Sequence, residues 1–342
     1  MLFKALLGFV AIVAANPVDM AKYTKAFDTR DVGYGVSNGV FNNMKFYTQH
    51  AAAAYCNYDR PPGQMIECTN NACPLVTQNK ATIVDSMVGL FTGIGAYVAV
   101  DEVRNETVLS IRGSSNIRNW ITNVVVLFRD CSFTSDCKVH AGFATAWDEI
   151  ASEAVTAILD AHKKNPNYKI VLTGHSLGGA VATIAAATLR KAGVPLELYT
   201  YGSPRVGNDR FATWFSEQQG GHWRVTHGND AVPRLPSISF GYRHTTPEYW
   251  LPGFWLYPWR TDYTAGEVQV CHGIANNQCN GQNTLLHSIV AHLHYLGSTA
   301  SCVNPLIGMR DTSETEELSQ EVQEQLIKLA LEDEKYLREH DL

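Results

Sequence analysis

The sequence predicts an α/β fold with a mainly parallel central sheet and helices on both faces. Strand-like and helix-like segments alternate along the middle of the chain, which is typical of such a sheet. Residues 168–174 (YKIVLTG) form a short, nearly continuous apolar run, as expected of a strand that is buried on both faces. The glycine-rich segment GHSLGGA follows this run and precedes an alanine-rich helix, so it marks a sharp strand-to-helix turn.

The individual elements follow from local patterns. The segment 38–55, which ends in HAAAAY, is predicted to be helical, and two strands joined by a polar turn are predicted over 96–103 and 107–113. Apolar residues at helical spacing predict a helix over 143–164. A helix is predicted over 180–193, and Gly193 and Pro195 are expected to terminate it. A strand over 196–202, a helix over 208–219 and a strand over 222–228 are predicted to follow.

The N-terminal segment has the features of a secretory signal peptide. Residues 1–15 (MLFKALLGFVAIVAA) combine an early lysine, a short apolar core and small residues at the end. A membrane anchor is the alternative, but the apolar stretch is shorter than the roughly 20 residues that a spanning helix needs. Residues 16–30 are polar and are a candidate propeptide. We therefore expect a secreted, extracellular protein with its main domain over 31–310.

Composition and charge make a nucleic-acid partner unexpected. The 342 residues are 45% hydrophobic and 18% charged, as in ordinary globular proteins, and the formal net charge is −6. Eleven acidic and three basic side chains give residues 311–342 a net charge of −8, which leaves +2 for the rest. This tail is either a solvated appendage or an amphipathic helix that docks on the body, because apolar residues recur in it at Leu318, Val322, Leu326 and Leu329.

Eight cysteines fit an oxidising compartment and permit four disulfides. Three pairs bracket short polar loops, and the fourth pair would tie one end of the domain to the other. A zinc site is the alternative, although the spacings match no zinc pattern. The favoured pairs are Cys68 with Cys73, Cys131 with Cys137, Cys271 with Cys279, and Cys56 with Cys302. Separately, Asn105 begins an N-glycosylation motif (Asn-Glu-Thr) in the turn between two predicted strands.

Gly174-His-Ser-Leu-Gly178 matches the G-x-S-x-G pattern of a nucleophilic serine. The crowded turn needs glycines and makes the hydroxyl of Ser176 project outward. It also points the following backbone N–H groups, and the positive end of the helix, at the space beside this hydroxyl. A carbonyl attacked there would become an oxyanion next to hydrogen-bond donors. The alternative is a glycine-rich packing turn.

A nucleophilic serine needs a base and an orienting acid, in the expected order Ser, acid, His. Asp230 follows a predicted strand in a proline-framed loop, whereas Asp262 lies in an irregular aromatic segment and Asp209 suits a helix cap. Spacing alone does not choose the base among the downstream histidines His244, His272, His287, His292 and His294.

Five segments closely resemble the fungal secreted class 3 lipases over about residues 36–302. These segments are GHSLGGA, RGSSNIRNW, THGNDAVPRLP, GYRHTTPEYW and AHLHYLG. The resemblance implies an α/β-hydrolase fold with Ser176 as nucleophile, Asp230 as orienting acid and His292 as base. It also supports the four disulfides. The neighbouring His175, together with His140 and His227, is expected to be structural.

The resemblance also implies an oxyanion hole, a lid and an acyl groove. The oxyanion would bind the backbone N–H groups of Ser114 and Leu177. Residues 115–124 would form a short lid helix, whose apolar face combines Ile117, Trp120 and Ile121 at i, i+3 and i+4. The acyl groove would be lined by Phe143, Val232 and Leu235. The aromatic segment 249–263 either forms a second lipid-contact surface or packs over the core.

These observations predict a secreted serine ester hydrolase that cleaves acylglycerols at a lipid–water interface. Phospholipase A1 activity or a preference for mono- and diacylglycerols is the alternative within the same chemistry. A feruloyl esterase and an inactive lipid-binding protein are weaker alternatives. We expect no metal or other cofactor, and no contact with membranes beyond peripheral contact with lipid. The sequence leaves the oligomeric state open.

Overall fold

The structure is a computed structural model that describes residues 32–123, 126–253, 256–282, 285–299, 301–302 and 318–340. The predicted signal peptide and propeptide lie outside the described residues. The strands of the described part are β1 (Val32–Tyr34), β2 (Thr82–Val88), β3 (Gly95–Asp101), β4 (Glu106–Ile111), β5 (Phe128–Asp130), β6 (Lys138–His140), β7 (Lys169–His175), β8 (Glu197–Tyr201), β9 (Gly207–Asn208), β10 (His222–His227), β11 (Tyr242–Arg243), β12 (Glu248–Leu251) and β13 (Gln269–Cys271). Its α-helices are α1 (Asn38–Asn57), α2 (Pro74–Asn79), α3 (Ile117–Asn123), α4 (Ala141–Lys164), α5 (Leu177–Lys191), α6 (Asp209–Ser216), α7 (Ile289–Leu293) and α8 (Gln320–Glu339).

A nine-stranded sheet with the order β1-β13-β12-β10-β8-β7-β4-β3-β2 forms the centre of the molecule. Its five central strands, β12, β10, β8, β7 and β4, are parallel. The outer strands on both sides are antiparallel. A second sheet of four short strands has the order β11-β9-β6-β5. The predicted mainly parallel sheet is confirmed.

Helices cover both faces of the central sheet. Side chains of α4 and α5 form one apolar core with the sheet, and side chains of α1 form another on the opposite face. Strand β7 is buried at every residue after its first, as the apolar run predicts. Because parallel strands end at the same edge, the loops after β4, β7, β10 and β12 meet there, and this catalytic edge carries the candidate site.

Helix termini follow the local chemistry. The side chains of Ser37 and Asn208 cap α1 and α6 by accepting a hydrogen bond from Val40 N (3.2 Å) and Phe211 N (3.1 Å). The chain leaves α5 through Gly193, whose φ of +81° suits glycine. No helix of the described residues has both the length and the hydropathy that a membrane span would require.

Candidate active site

Ser176 lies at the turn between β7 and α5 in a strained backbone conformation, with φ 58° and ψ −131°. Small residues are obligatory around it. A Cβ at Gly174 would lie 2.4 Å from the carbonyl of Gly178, and a Cβ at Gly178 would lie 2.1 Å from the carbonyl oxygen of Ile111. The glycines therefore let the turn close against the end of β4, and they place Ser176 at the N-terminus of α5, where the helix dipole is positive.

Asp230 and His292 form a fully buried pair near this turn. His292 Nδ1 donates to both carboxylate oxygens of Asp230, at 3.0 and 2.8 Å. The same carboxylate accepts from Val232 N at 2.8 Å and from the hydroxyl of Tyr295 at 2.5 Å. These bonds fix the proton of His292 on Nδ1, which leaves Nε2 as a proton acceptor.

The other residues that the sequence left open lie elsewhere. The side chain of Asp262 is 91% exposed and pairs with Arg260 at 3.3 Å. Asp209 is the first residue of α6, at the positive end of that helix. Of the downstream histidines, all of which the structure describes, His292 is the one whose ring contacts Asp230. His294 Nδ1 instead bonds the carbonyl of Val290 at 2.8 Å.

Two buried polar atoms at the site have no hydrogen-bond partner within the described part of the chain: Ser176 Oγ and His292 Nε2. An unpaired buried polar atom is costly, so such atoms are a reason to look for function. The two atoms are the ones that a nucleophile and its base would bring together, and this contact is often loose when no substrate is bound.

His175 packs against His292 and hydrogen-bonds its backbone. Its ring lies 4.4 Å from that of His292, between centroids. Its Nε2 donates to the carbonyl of His292 at 2.8 Å, and its Nδ1 accepts from the hydroxyl of Tyr55 at 2.8 Å. Burial, followed by the neighbouring His292, keeps the pKa of His175 well below its usual value, so the ring stays neutral. His175 therefore holds the backbone that carries His292.

Tyr295 and Gly202 contribute to the site, although no motif in the sequence singled them out. Burial, followed by the Asp230 carboxylate, raises the pKa of Tyr295 well above its usual value, so its hydroxyl remains a donor. A Cβ at Gly202 would lie 2.6 Å from the Tyr295 hydroxyl and 2.9 Å from both Asp230 Oδ2 and His292 Cε1. Only glycine therefore leaves room for the pair. In the sequence, Gly202 directly follows β8 and Tyr295 lies three residues after His292, but neither position indicates these contacts.

The two residues predicted for the oxyanion hole lie at the same edge. Leu177 is the first residue of α5, directly after Ser176. Ser114 follows β4, and its hydroxyl accepts from Asn116 N at 3.2 Å, at the start of the segment predicted as lid. A Cβ at Gly113 would lie 3.1 Å from Ser176 Cβ, so the loop that carries Ser114 passes directly beside Ser176.

Helix α3 covers the predicted acyl groove. Ile117 and Ile121 are 5% and 6% exposed and belong to one apolar cluster with Val232 and Leu235. The Trp120 ring is partly buried and stacks on Phe143 at 6.3 Å between centroids. The predicted apolar face of this helix is thus turned inward, onto the side chains that were predicted to bind the acyl chain.

Helix α8 lies over the same cluster. Leu326 and Leu318, which lies two residues before the helix, are buried there, with Val322 and Leu329 packed against them. Asp333 is buried and pairs with the buried guanidinium of Arg205 at 3.3 Å. Residues 318–340 of the acidic tail are therefore docked on the body next to α3.

Four further hydrogen bonds, made by the side chains of Asp333 and Gln323, hold α8. Asp333 also accepts hydrogen bonds from the hydroxyl of Ser237 and, at 3.3 Å, from Ser239 N. Gln323 Oε1 accepts from His287 N at 3.2 Å, and Gln323 Nε2 donates to the carbonyl of His287 at 2.5 Å. The helix thus bonds both the loop after Leu235 and the loop before α7.

The remaining predicted residues lie as follows. Disulfides join Cys56 with Cys302, Cys68 with Cys73, Cys131 with Cys137, and Cys271 with Cys279, the pairs that the sequence favours. Asn105 is exposed, with φ 55°, in the turn between β3 and β4. In the aromatic segment, Trp250 is buried whereas Tyr257 and Trp259 are 57% and 56% exposed. Phe254 and Trp255 lie outside the described residues.

His140 and His227 have structural contacts. His140 Nδ1 caps α4 by accepting from Gly142 N at 3.1 Å, and its ring stacks on Phe143 at 4.0 Å between centroids. The ring of His227 bonds the carbonyl of Ala291 and the hydroxyl of Tyr263, both at 2.9 Å.

Comparisons with known proteins point to one family. The class 3 lipase model matches residues 108–240, which contain Ser114, Ser176 and Asp230. The secreted mono- and diacylglycerol lipase 1 of Fusarium solani is 48% identical over 323 residues, which span 94% of this chain and 95% of that protein.

Solved structures of lipases resemble this chain over most of its length. The crystal structure of the mono- and diacylglycerol lipase from Aspergillus oryzae has a TM-score of 0.73 at 33% identity, covering 78% of this chain and 99% of that one. A triacylglycerol lipase whose catalytic centre is described as a serine protease triad has a TM-score of 0.70 at 32% identity, covering 80% of this chain and 100% of that one. The chain therefore belongs to the class 3 lipase family and has its α/β-hydrolase fold.

Proposed function

We propose that the protein is a secreted acylglycerol lipase in which Ser176, His292 and Asp230 form the catalytic triad. The observation that carries this proposal is the serine on a strained turn beside a buried His–Asp pair whose outer nitrogen has no partner among the described residues. Mono- and diacylglycerols are the proposed substrates within this class, because the Fusarium solani relative is named for them.

The reaction follows from the chemistry of these groups. His292 Nε2 takes the proton of Ser176 Oγ as the oxygen attacks the ester carbonyl. Asp230 keeps the imidazole in the required tautomer and stabilises its positive charge. The oxyanion binds the backbone N–H groups of Ser114 and Leu177, at the positive end of α5. His292 then gives its proton to the leaving alcohol, and water releases the fatty acid from Ser176 by the reverse sequence of proton transfers.

Access to the triad is controlled by α3, which is proposed to be the lid. Its inward apolar face, formed by Ile117, Trp120 and Ile121, now covers Phe143, Val232 and Leu235. When the lid opens, the acyl chain takes the place of these side chains, and the lid face transfers to the lipid. Full burial of each such side chain is worth about 1.5–3 kcal/mol, so a lipid–water interface can favour opening. Helix α8 restrains this movement because it packs on the same cluster.

Secretion is part of the proposal. The features of residues 1–15 and the names of the relatives from Fusarium solani and Penicillium cyclopium support an extracellular enzyme. The four disulfides suit that compartment. N-terminal sequencing of the secreted protein would locate the signal-peptide cleavage site and show whether residues 16–30 are removed.

One experiment tests the activity and its substrate class. Fatty-acid release is measured side by side from monoolein, diolein, triolein and a phosphatidylcholine, together with ferulate release from methyl ferulate. The expected result is that monoolein and diolein are the best substrates and that Ser176→Ala abolishes turnover of all of them. Faster cleavage of phosphatidylcholine or methyl ferulate would replace the proposed substrate class, and a fully active Ser176→Ala would exclude the mechanism.

A matched pair of variants tests the base. His292→Ala is expected to fold and to be inactive, since it removes the proton acceptor. His294→Ala is the control, because this ring lies two residues away and bonds the Val290 carbonyl. It should retain activity. Equal loss in both variants, with unchanged melting temperatures, would contradict the assignment of His292.

A further inference from the structure

The turn between β2 and β3 exposes two large apolar side chains. Leu90 is 85% exposed and Phe91 is 88% exposed, and the adjoining Val88 is 52% exposed. Single exposed apolar residues are common on soluble proteins, but two consecutive large ones at the tip of a hairpin are not easily explained by folding. We name residues 88–93 the hairpin tip.

The hairpin tip is held in one conformation. Its backbone closes through bonds from Gly89 N to the carbonyl of Ile94 (2.7 Å) and from Gly93 N to the carbonyl of Gly89 (3.1 Å). From outside the hairpin, the carboxylate of Glu149 on α4 accepts from Thr92 N at 3.1 Å and from its hydroxyl at 2.7 Å. Because the tip is already ordered, docking it on another surface costs little conformational entropy.

The hairpin tip lies at the catalytic edge. Strand β3 is antiparallel to β4, so the start of β3 pairs with the end of β4, with Ala96 opposite Ile111. Arg112 N donates to the carbonyl of Gly95 at 2.8 Å, and its guanidinium donates to the carbonyl of Gly93 at 2.6 Å. Ser114, the proposed oxyanion residue, follows two positions after Arg112. The exposed tip and the catalytic machinery therefore face the same surroundings.

A second exposed apolar surface lies at the same edge on the other side of Ser176. The aromatic segment follows the carboxyl end of β12, which is parallel to β10 and β8. Its residues Leu256, Tyr257 and Trp259 are 46%, 57% and 56% exposed. In the strand order, β7 with Ser176 at its end lies between the hairpin tip and this segment. Two apolar projections thus flank the candidate active site.

The chemistry of the tip identifies its partner. Residues 86–94 (SMVGLFTGI) contain no ionisable side chain. The two charged groups that hold the tip are engaged, Glu149 by Thr92 and Arg112 by Gly93 and the ring of Tyr58, 4.0 Å from its centroid. Because residues 86–94 carry no charge, inserting Leu90 and Phe91 moves no charged side chain of the tip into an apolar medium. The tip has no group that would recognise an anionic head group.

We propose that Leu90 and Phe91 form an anchor that inserts into the surface of a neutral acylglycerol aggregate and holds the catalytic edge against it. The proposal rests on the proposed lipase function and extends it, because it assigns a lipid-binding site outside the triad, lid and acyl groove. Insertion removes both side chains from water, and the aromatic segment supplies the second point of contact.

Binding is measured without turnover in the Ser176→Ala background, by flotation with phosphatidylcholine vesicles that contain dioleoylglycerol. Leu90→Ser/Phe91→Ser is expected to weaken partition about tenfold or more, with no change on adding salt. The matched control is Val103→Ser, which removes a side chain that is 67% exposed in the turn at the opposite edge of the sheet. It should leave partition unchanged. Phe91→Trp should strengthen it, since Trp favours the lipid interface.

Kinetics separate this proposal from the proposed function. With Ser176 intact, Leu90→Ser/Phe91→Ser should raise the apparent KM on emulsified diolein about tenfold or more, and leave kcat/KM on soluble p-nitrophenyl butyrate unchanged. Unchanged partition in the double variant, or an equal loss in Val103→Ser, would overturn the anchor. Retained turnover in Ser176→Ala would instead overturn the proposed lipase mechanism, whatever the partition results.

Discussion

The contact of α8 with α3, which we propose to be the lid, predicts that weakening α8 activates the enzyme on soluble substrate. The perturbation is Leu326→Ala, because Leu326 is 5% exposed and lies in the cluster that contains Ile117, Ile121 and Leu235. The control is Leu331→Ala, which makes the same change on the same helix at a side chain that is 48% exposed. Both variants keep Asp333 and its ion pair with Arg205.

The structure sets the expected size of this effect. Replacing a buried leucine by alanine costs about 2–5 kcal/mol in a core, and the lower end applies where the site can relax, as beneath a single docked helix. A loss of about 2 kcal/mol weakens docking roughly thirtyfold, since 1.4 kcal/mol is tenfold. If the lid opens only when α8 yields, the open fraction rises by up to this factor. Leu331→Ala should change it by less than a factor of about two.

The assay measures the hydrolysis of two esters. p-Nitrophenyl butyrate is used below its critical micelle concentration, and a longer ester is used above its own critical micelle concentration. Leu326→Ala should be faster than the parent on the soluble ester, and its rate should rise less on going to micelles. A chain that ends at residue 310, after the Cys56–Cys302 disulfide, should show the same behaviour more strongly. Identical kinetics in the parent, Leu326→Ala and the shortened chain would refute the idea that α8 restrains the lid.

Three further predictions concern the rest of the molecule. Tyr295→Phe removes the hydroxyl that donates to Asp230. Because a hydrogen bond to a charged group is worth about 1.5–3 kcal/mol, kcat should fall at least about tenfold. Steady-state kinetics should show little change in KM. Burial lowers the pKa of His50 to about 3 and that of His227 to about 4, so below about pH 6.5 the unfolded chain binds protons that the folded chain does not. These two histidines alone should lower the free energy of unfolding by about 4 kcal/mol from pH 7 to pH 5, and His175, His222, His244 and His287, whose pKa values burial also lowers, add to this fall. A guanidinium midpoint that is equal at both pH values would contradict this. Asn105 should carry an N-linked glycan when the protein is secreted from a fungal host, so endoglycosidase should lower the mass of the parent and not that of Asn105→Gln.

Local chemistry made the proposed nucleophile predictable, whereas the rest of the candidate site depends on contacts between distant segments. The turn at Ser176 needs glycines and follows a buried strand, and both features are adjacent in the sequence. The pairing of His292 with Asp230 joins residues 62 positions apart, so the spacing of the histidines alone did not identify it. The resemblance to a family supplied what the local pattern lacked.

The sequence did not indicate residues that act by lacking a side chain or through a single hydroxyl. Gly202 matters because a Cβ there would meet three groups of the site, and nothing in its neighbourhood in the sequence indicates this. Asp333 is one of many acids in a strongly charged tail, where the usual expectation is a solvated side chain. The structure instead buries Asp333 against Arg205. Burial lowers the pKa of Arg205, and the charge of Asp333 acts in the opposite direction.

Anchoring and opening are separable steps in this arrangement. The hairpin tip and Trp259 are exposed while α3 and α8 cover the proposed acyl groove, so under our proposals the closed enzyme can bind a lipid surface before the proposed lid moves. Opening then exchanges contacts within the cluster around Ile121 for contacts with lipid. Changes at Phe91 should therefore alter partition, changes at Leu326 should alter the opening equilibrium, and the combined variant should show additive free energies. A strong coupling between the two positions would mean that the tip reaches lipid only after α8 has moved.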